Sequence, residues 1–347
     1  MAKTIGIDTH NHIDVPLIAT ELPGPFVDLN AEIKKSGLSA ICMTYAVDYQ
    51  QLRNPGDAYA RFQNGMDAMD TLLKANKMER SLNLKAIKSA HKKHQPSVIQ
   101  SVEGGHFLEG KLERLADAYK RGLRHLTLLH DNDASVPLGD VFTNPARWGG
   151  LTNFGQQVIM ECNRLGILVD LSHATNETVN AALKIAKSPV LISHTGLDSQ
   201  LGENQMMAKM MRPRLISKEQ AKIVADSGGV IGVWTHLAET PLAYAQNIRA
   251  MVDITGINHV CIGTDTKLTA AYRTPLQLSS KPKENQNSKD KARVGERTNN
   301  AWQDQNIGFY YAVVDAMLKT GFNEEEIGKI GGGNFMRVFG AATDGKH

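Results

Sequence analysis

The feature that most constrains the fold of this chain is a series of short apolar runs, each followed by a longer amphipathic stretch. There are eight such runs, over residues 4–8, 39–45, 97–103, 125–130, 168–173, 189–194, 229–234 and 259–265. Helical patterns follow the runs, for example over residues 153–165, 175–186 and 217–227. Because this alternation is typical of βα units around a parallel sheet, it predicts a (β/α)8 TIM barrel of the metal-dependent hydrolase type.

In such a barrel the chemistry takes place at the carboxyl ends of the strands, where the βα loops converge. Six of the eight runs have an acidic or imidazole side chain at or just past this end, namely His10, His12, Glu103, His130, His173, His194 and Asp265. Random placement does not readily give this arrangement, so we interpret these residues as a candidate site. The second run ends in Tyr45 and the seventh in Trp234 and His236, which suit a pocket wall better than a primary ligand.

The length of the chain favours a single domain. With 347 residues and 41% hydrophobic content it can bury a sizeable core, and it lies within the usual span of one barrel. Residues 269–300 are polar and lack periodicity, which predicts a long loop after the eighth strand. A helix over 299–320 and a glycine turn at 331–334 follow, within a helical segment over 301–347. We therefore expect one barrel domain over residues 1–347.

Composition excludes some classes of function. The 39 basic and 36 acidic residues give a net charge of only +3 without a basic arm, which favours a small-molecule substrate over nucleic acid. No run of about eighteen apolar residues predicts a membrane span, and no signal-peptide core follows Met1. We expect a soluble protein, cytoplasmic as the chain stands and periplasmic or secreted if an export signal has been trimmed. The three widely spaced cysteines indicate neither disulfides nor a thiolate zinc site.

The spacing of His10 and His12 is suited to metal binding. Alternate residues of an extended strand point the same way, so both imidazoles can reach one ion. His173 and His194 come from neighbouring strand ends and could bind a second ion. Glu103 could bridge the two ions at the separation of roughly 3.5 to 4 Å that is typical of two-metal hydrolases. Two ions that share one water lower its pKa into the neutral range, which supplies a hydroxide nucleophile without a serine or cysteine.

Each of these residues also has a structural interpretation. A single histidine at a strand end is more often a structural residue than a ligand, so only the whole set supports a metal site. Glu103 lies in apolar sequence, where a carboxylate is rare unless it binds metal or forms a buried salt bridge, for which Arg124 is the candidate partner. Asp265 could cap the next segment, but its place beside a two-metal site favours proton transfer.

Several ordered motifs carry a resemblance that runs along nearly the whole chain. They are Asp8-Thr9-His10-Asn11, Ser101-Val102-Glu103-Gly104-Gly105-His106, Leu126-Thr127-Leu128-Leu129-His130, Asp170-Leu171-Ser172-His173, Pro189-Val190-Leu191-Ile192-Ser193-His194, Arg212-Pro213-Arg214, Ile262-Gly263-Thr264-Asp265 and Gly332-Gly333-Asn334-Phe335-Met336-Arg337-Val338. Together they resemble the membrane dipeptidase family, also called renal dipeptidases or peptidase family M19. This family is a branch of the amidohydrolase-type barrels.

The resemblance implies a dipeptidase that holds two zinc ions per chain, although other divalent metals are compatible. The implied ligands are one histidine pair for each ion and a glutamate that bridges them: His10 and His12, His173 and His194, and Glu103. The nucleophile would be a hydroxide that both ions share. The resemblance also implies a homodimer.

The resemblance assigns three further roles. Asp265 would pass the proton of the attacking water to the departing amine. His130 would hold the scissile carbonyl oxygen and stabilise the oxyanion. Arg214 would bind the free carboxylate of a dipeptide substrate, because a guanidinium fits a carboxylate with two parallel hydrogen bonds.

The chain departs from the family pattern in two places. The family usually has His-x-Asp at the first strand, whereas His12 takes the second position here. A register that pairs His12 with Asp14 is the alternative, and Asp8 opens a third combination. After Asp265 the family often continues with Phe-Asp-Gly, whereas this chain has Thr266-Lys267-Leu268. Because that loop borders the expected pocket, the resemblance does not fix which substrate side chains the pocket accepts.

Two other functions compete with dipeptide hydrolysis. An amidohydrolase-type enzyme with the same metal core could act on N-acyl amino acids, lactones or cyclic amides. Arg214 favours a substrate with a free carboxylate, because a neutral lactone would leave the guanidinium unpaired. The second alternative is a catalytically silent barrel that binds metal. Such a barrel would not need Asp265 as a proton-transfer residue.

Overall fold

The chain forms a closed parallel barrel. The computed structural model describes residues 4–18, 21, 26–48, 51–269 and 294–344. Its strands are β1 Ile7–His12, β2 Ala40–Thr44, β3 Ser97–Glu103, β4 Leu123–Thr127, β5 Leu168–Asp170, β6 Leu191–Thr195, β7 Val230–Val233, β8 Val260–Ile262 and β9 Thr266–Lys267. Strands β2 to β8 follow one another around the sheet, and β1 pairs with both β8 and β2. The predicted (β/α)8 barrel is confirmed.

Helices surround the barrel. They are α1 Leu29–Ser36, α2 Asp57–Ala75, α3 Leu84–Lys92, α4 Glu113–Lys120, α5 Asn153–Leu165, α6 Asn176–Ile185, α7 Gln205–Met211, α8 Lys218–Asp226, α9 Pro241–Thr255, α10 Phe309–Lys319, α11 Glu324–Gly328 and α12 Asn334–Thr343. The helices predicted over 153–165, 175–186 and 217–227 are confirmed to within one residue at each end. At their starts Thr152, Thr175 and Ser217 each accept a hydrogen bond from a backbone N–H of the first turn.

The strands of the barrel are covered on both faces. Every residue of β2 to β8 is buried, and the wholly apolar strands β7 and β8 show none of the alternation that a strand with one exposed face would have. At the amino-terminal end of the barrel, Phe335 and Phe339 of α12 cluster with Ile7, Leu168 and Val230, the first residues of three strands. This end is therefore filled with apolar side chains, and the opposite end is left for chemistry.

Several strand boundaries differ from the prediction, among them those of the first and fourth strands. The first strand begins at Ile7 and continues to His12, so His10 and His12 lie within it rather than just past it. The fourth strand begins at Leu123, directly after Gly122 with φ 97°, and ends at Thr127. His130 therefore stands in the loop beyond β4, where it can reach the centre of the barrel mouth.

The predicted helix over 299–320 is wrong in its first half. A short 3-10 turn at Thr298–Asn300 precedes an irregular segment, and the α-helix begins only at Phe309. Within the irregular segment the indole of Trp302 donates to the carbonyl of Ala238, which fixes it to the loop between β7 and α9. Most of the predicted polar loop over 269–300 lies outside the described residues, and the single domain over 1–347 stays a prediction.

The predicted glycine turn at 331–334 is also wrong, because these glycines lie in a helix. A π-helical turn at Lys329–Gly333 joins α11 to α12 without a break. The glycines are needed for close approach, since a Cβ on Gly332 would lie 2.4 Å from the backbone oxygen of Ile5, just before β1. The run is therefore a packing contact between this helix and the barrel.

We expect Gly332→Ala to lower the free energy of unfolding by about 1–3 kcal/mol, because the added methyl group meets backbone that cannot move aside. Gly328→Ala is the matched control, since its Cβ would meet only the Thr4 methyl at 3.7 Å. That variant should be neutral or slightly stabilising, as alanine is the better helix former. Chemical denaturation of both variants measures the difference, and equal stabilities would contradict the packing argument.

Candidate metal centre and active site

Five potential ligands converge at the carboxyl ends of four strands. Strand β1 supplies two imidazoles, β3 ends in a carboxylate, and the other two imidazoles follow β5 or lie in β6; they are His10, His12, Glu103, His173 and His194. Four of these side chains are 4% exposed or less, and that of His12 is 22% exposed. Side chains that lie far apart in the sequence thus share one largely buried pocket.

The first group consists of His10, His12 and Glu103. The Nε2 atoms of the two histidines are 3.2 Å apart. Glu103 Oε1 lies 3.3 Å from His10 Nε2, and Oε2 lies 3.7 Å from His12 Nε2. Ligand atoms around a tetrahedral zinc ion, at bonds of about 2.0–2.1 Å, are roughly 3.3 Å apart. The spacing of the group therefore fits one cation.

The second group consists of Glu103, His173 and His194. The two Nε2 atoms are 2.9 Å apart, and they lie 3.0 Å and 3.7 Å from Glu103 Oε1. These three atoms also lie close enough together to hold an ion. Glu103 is common to both groups, so the pocket suits two neighbouring cations with a shared carboxylate.

Glu103 has the surroundings of a metal ligand. It is 1% exposed, and its Oε2 accepts no hydrogen bond from any residue in the described part of the chain. Arg124, the alternative partner, donates instead to the carbonyls of Tyr119 and Leu123. Burial raises the pKa of Glu103, but His130 and His10 outweigh it and hold that pKa well below its usual range. A buried carboxylate with an open oxygen fits a cation.

The second nitrogen is held by a hydrogen bond in three of the four ligand imidazoles. Ser193 Oγ lies 3.3 Å from His10 Nδ1 and 2.9 Å from His194 Nδ1. Asp131 Oδ1 lies 3.1 Å from His173 Nδ1. Such contacts orient an imidazole so that its free nitrogen faces the metal.

Asp265 lies at the edge of the first group with its backbone in the left-handed region at φ 54°. Its Oδ1 lies 3.2 Å from His12 Nε2, and its Oδ2 lies 2.8 Å from His236 Nε2. Burial raises the pKa of Asp265, but His194, His12 and His236 hold it well below the usual range. A backbone strained in this way at a pocket is common at functional sites.

His130 reaches the pocket from the loop after β4. Its Nδ1 bonds to the buried carboxylate of Asp48 at 2.5 Å, and its Nε2 lies 3.4 Å from Glu103 Oε2. Burial lowers the pKa of His130, but Glu103 and Asp48 raise it to about 9 in the absence of cations. Asp48 also accepts from the backbone N–H of Asn132. The imidazole is therefore fixed with one nitrogen directed at the metal groups.

Arg214 borders a cavity of about 350 Å³ that opens beside the second group. Phe142, His173 and His194 line the same cavity. One terminal nitrogen of Arg214 donates to Asp131 Oδ2 at 2.6 Å, and the guanidinium lies 5.3 Å above the Phe142 ring. Within the described ranges no hydrogen bond involves its other guanidinium nitrogens, so they can receive an anionic group.

The alternative ligands at the first strand are engaged elsewhere. Asp8 accepts hydrogen bonds from the Asn11 amide and from the backbone and hydroxyl of Thr264, so both of its oxygens are used. Asp14 forms an ion pair with Lys267 at 2.7 Å. The pair that meets Glu103 is His10 and His12.

Several residues that shape the pocket were missed at the sequence level. Asp48 holds His130, and Asp131 holds His173. Ser193 contacts both His10 and His194, and Asp170 in turn accepts a hydrogen bond from Ser193. Asp48 follows β2 and was detectable by the rule that found Glu103, as an acid close to a strand end. Two predicted wall residues are in the core instead: the Tyr45 hydroxyl donates to the Phe62 carbonyl, and Trp234 is 1% exposed.

No helix in the described part of the chain is long and apolar enough to cross a bilayer.

A model of the membrane dipeptidase family, peptidase family M19, matches residues 1–280. Dipeptidase 3 of Mus musculus is 26% identical over 248 residues, which make up 69% of this chain and 43% of that relative. The chain therefore spans less than half the length of this curated relative.

Two solved structures share the fold. An amidohydrolase from Pseudomonas aeruginosa superposes with a TM-score of 0.74 at 22% identity, covering 98% of this chain and 97% of that one. A metallo peptidase from Rhodobacter sphaeroides, liganded with a phosphinate mimic of the dipeptide L-Ala-D-Ala, gives a TM-score of 0.67 at 16% identity and covers 98% and 100% of the two chains. At these identities the likeness shows the fold.

Proposed function

Because this chain belongs to the membrane dipeptidase family, peptidase family M19, we propose that it hydrolyses the peptide bond of dipeptides with the aid of two zinc ions. The observation that carries the proposal is the position of Glu103, which has one histidine pair on each side. A cavity lined by Arg214 opens beside the same group. A pair of cations and a binding group for a carboxylate are what a dipeptidase needs.

The metal assignment follows from the two groups of ligand atoms. His10 and His12 would hold the first ion, His173 and His194 the second, and Glu103 would contact both. Imidazole nitrogens with a carboxylate suit zinc better than magnesium or calcium, which prefer oxygen ligands. Bound zinc supplies Lewis acidity, which lowers the pKa of a water molecule into the neutral range and polarises a carbonyl.

The protein's own side chains would complete the reaction. Asp265, ionised at neutral pH, takes the proton of the attacking water and passes it to the departing amine. His130, held by Asp48, donates a hydrogen bond to the carbonyl oxygen as negative charge develops there. The low exposure of the pocket strengthens both interactions because little water competes for them.

Arg214 supports a substrate with a free carboxylate. It lines the same cavity as the second histidine pair, and within the described ranges Asp131 engages one of its terminal nitrogens. A carboxy-terminal residue bound there would place its peptide bond toward the metal groups. Since the related Rhodobacter sphaeroides structure holds a mimic of L-Ala-D-Ala, dipeptides with a D-residue at the carboxyl end belong in the tested panel. The homodimer implied by the family resemblance stays a prediction.

The test combines metal analysis with an assay of peptide cleavage. We expect about two zinc ions per chain and cleavage of L,L or L,D dipeptides, which chelation abolishes and added zinc restores. The carboxy-terminal amide of a cleaved dipeptide should have a kcat/KM on the order of 100-fold lower, because Arg214 loses its charged partner. A ninhydrin assay on matched acid and amide substrates measures this ratio.

Other results would change the assignment. Bound metal with cleavage of N-acyl amino acids but not of dipeptides would move the chain to that class of hydrolase. Equal rates on acid and amide substrates would remove Arg214 from the binding of the carboxylate. A protein that binds no metal and cleaves nothing in the panel would contradict the catalytic proposal as a whole.

A further inference from the structure

Ser193 occupies a position between the two metal groups. It lies in β6, is fully buried, and precedes the ligand His194. Its hydroxyl oxygen lies 2.9 Å from His194 Nδ1 and 3.3 Å from His10 Nδ1. His194 belongs to the second group and His10 to the first. One hydroxyl therefore touches a ligand of each group, on the nitrogen that faces away from Glu103.

The direction of these hydrogen bonds follows from the partner on the other side of Ser193. Ser193 Oγ lies 2.6 Å from Asp170 Oδ2. Asp170 also accepts from the Thr127 hydroxyl and from the backbone N–H groups of Ser172 and Ser193. A carboxylate with this many donors acts only as an acceptor. The single proton of the Ser193 hydroxyl must therefore point at Asp170.

The two lone pairs of the hydroxyl are then left for the imidazoles. A hydroxyl has one proton and two lone pairs, so Ser193 can accept from both His10 and His194. Each imidazole thereby carries its proton on Nδ1, and each Nε2 lone pair is directed at the metal groups. The tautomers of two ligands in different groups depend on one side chain.

We propose that Ser193 is a positioning residue that fixes one ligand of each metal group at once and so couples the two cation sites. The proposal rests on the metal assignment above. Without the hydroxyl, both imidazoles lose the acceptor that selects the Nδ1–H tautomer. Both sites then bind their cations more weakly.

Ser172 provides a matched control. It is equally buried, precedes the ligand His173, and also donates to Asp170, at 2.8 Å. Its oxygen lies 3.2 Å from Ser193 Oγ and accepts from the backbone N–H of His194 at 3.3 Å, but within the described residues it makes no hydrogen bond with a ligand imidazole. Ser172→Ala therefore removes a buried hydroxyl from the same hydrogen-bond network without touching a ligand ring.

The experiment is a titration of the metal-free full chain with Co²⁺, followed through the visible absorption bands of the bound ion. We expect two binding steps in the wild type. In Ser193→Ala both dissociation constants should rise about 10–100-fold, which is the usual effect of losing a group that orients a ligand. In Ser172→Ala both should stay within about threefold of the wild type. An unchanged Ser193→Ala variant, or one weakened at a single step, would overturn the coupling.

A second measurement does not depend on the variant folding. In wild-type protein loaded with Zn²⁺ and carrying ¹⁵N-labelled histidine, long-range ¹⁵N–¹H spectra should show the rings of His10 and His194 protonated at Nδ1. The opposite tautomer at either ring would overturn the proposal. If the wild type binds no Co²⁺ and cleaves no dipeptide, the proposed function fails instead. If it binds two ions with the wrong tautomers, only the role of Ser193 fails.

Discussion

Glu103→Gln is expected to remove both metal ions and to reduce dipeptide cleavage to the background rate. The substitution keeps the size of the side chain but replaces a shared anionic ligand by a neutral amide, whose N–H groups would face the Nε2 atoms of the histidines. Loss of a direct ligand should weaken each site at least as much as loss of a group that orients one, which is about 10–100-fold. Elemental analysis after gel filtration measures the retained zinc.

Asp14→Asn is the matched control for this loss of metal. Asp14 carries the same charge close to the site but forms an ion pair with Lys267 rather than joining a histidine pair. We expect this variant to keep about two zinc ions, as judged by the same analysis. If Asp14→Asn loses metal, the register that pairs His12 with Asp14 is correct and our ligand pair at the first strand is wrong. If Glu103→Gln keeps both ions, Glu103 is not a shared ligand.

Asp265→Asn is expected to lower kcat by about 10²–10⁴-fold while the zinc content stays unchanged. Asparagine has nearly the same shape as aspartate and can still accept from His236, but it cannot take a proton from water. Because Asp265 belongs to neither group of metal ligands, its loss should leave KM close to the wild-type value. Steady-state kinetics on one cleaved dipeptide, together with metal analysis, separates these effects.

The control for Asp265→Asn is Asp133→Asn, which removes a carboxylate that pairs with Arg147 in the loop after β4. It should leave kcat unchanged. A variant at Asp265 that keeps more than a tenth of the wild-type kcat would exclude proton transfer by this residue. One that loses zinc would show that the carboxylate instead holds an ion.

The barrel and the group of potential ligands could be predicted because both depend on short-range patterns. A parallel strand buried on both faces, such as Val230–Val233, reads as an apolar run, and the ends of such runs meet at one side of the barrel. Glu103 stood out because a carboxylate interrupts apolar sequence. For these residues, location along the strand is enough to fix location in the fold.

The side chains that hold the ligand imidazoles in place could not be predicted in the same way. Asp48 stands close to a strand end and could be recognised by that position, but nothing local in the sequence reveals that it meets His130. Nothing local reveals that Asp131 joins His173 to Arg214 either. Ser193 is a small polar residue in a buried strand, with no pattern to distinguish it from Ser172. Their roles depend on contacts between distant strands, which only the closed barrel creates.

The prediction of a turn at the glycine run over 331–334 was wrong for a related reason. Three consecutive glycines usually predict a turn, because glycine is the poorest helix former after proline. Here Gly332 lies against the backbone of Ile5, so the close approach outweighs the local preference. A tertiary contact of this kind leaves no trace in the periodicity of the helix itself.

The two metal groups join strands that lie far apart in the sequence. Glu103 of β3 meets His10 and His12 of β1 in one group, and it meets His173 and His194 in the other. No preformed site exists in the unfolded chain, so cations bind almost solely to the closed barrel. Each tenfold rise in free cation above the dissociation constant then adds about 1.4 kcal/mol per site to the free energy of unfolding. The two ions therefore act as reversible cross-links between strands of the first two thirds of the chain, and the lifetime of the folded protein depends on the supply of metal.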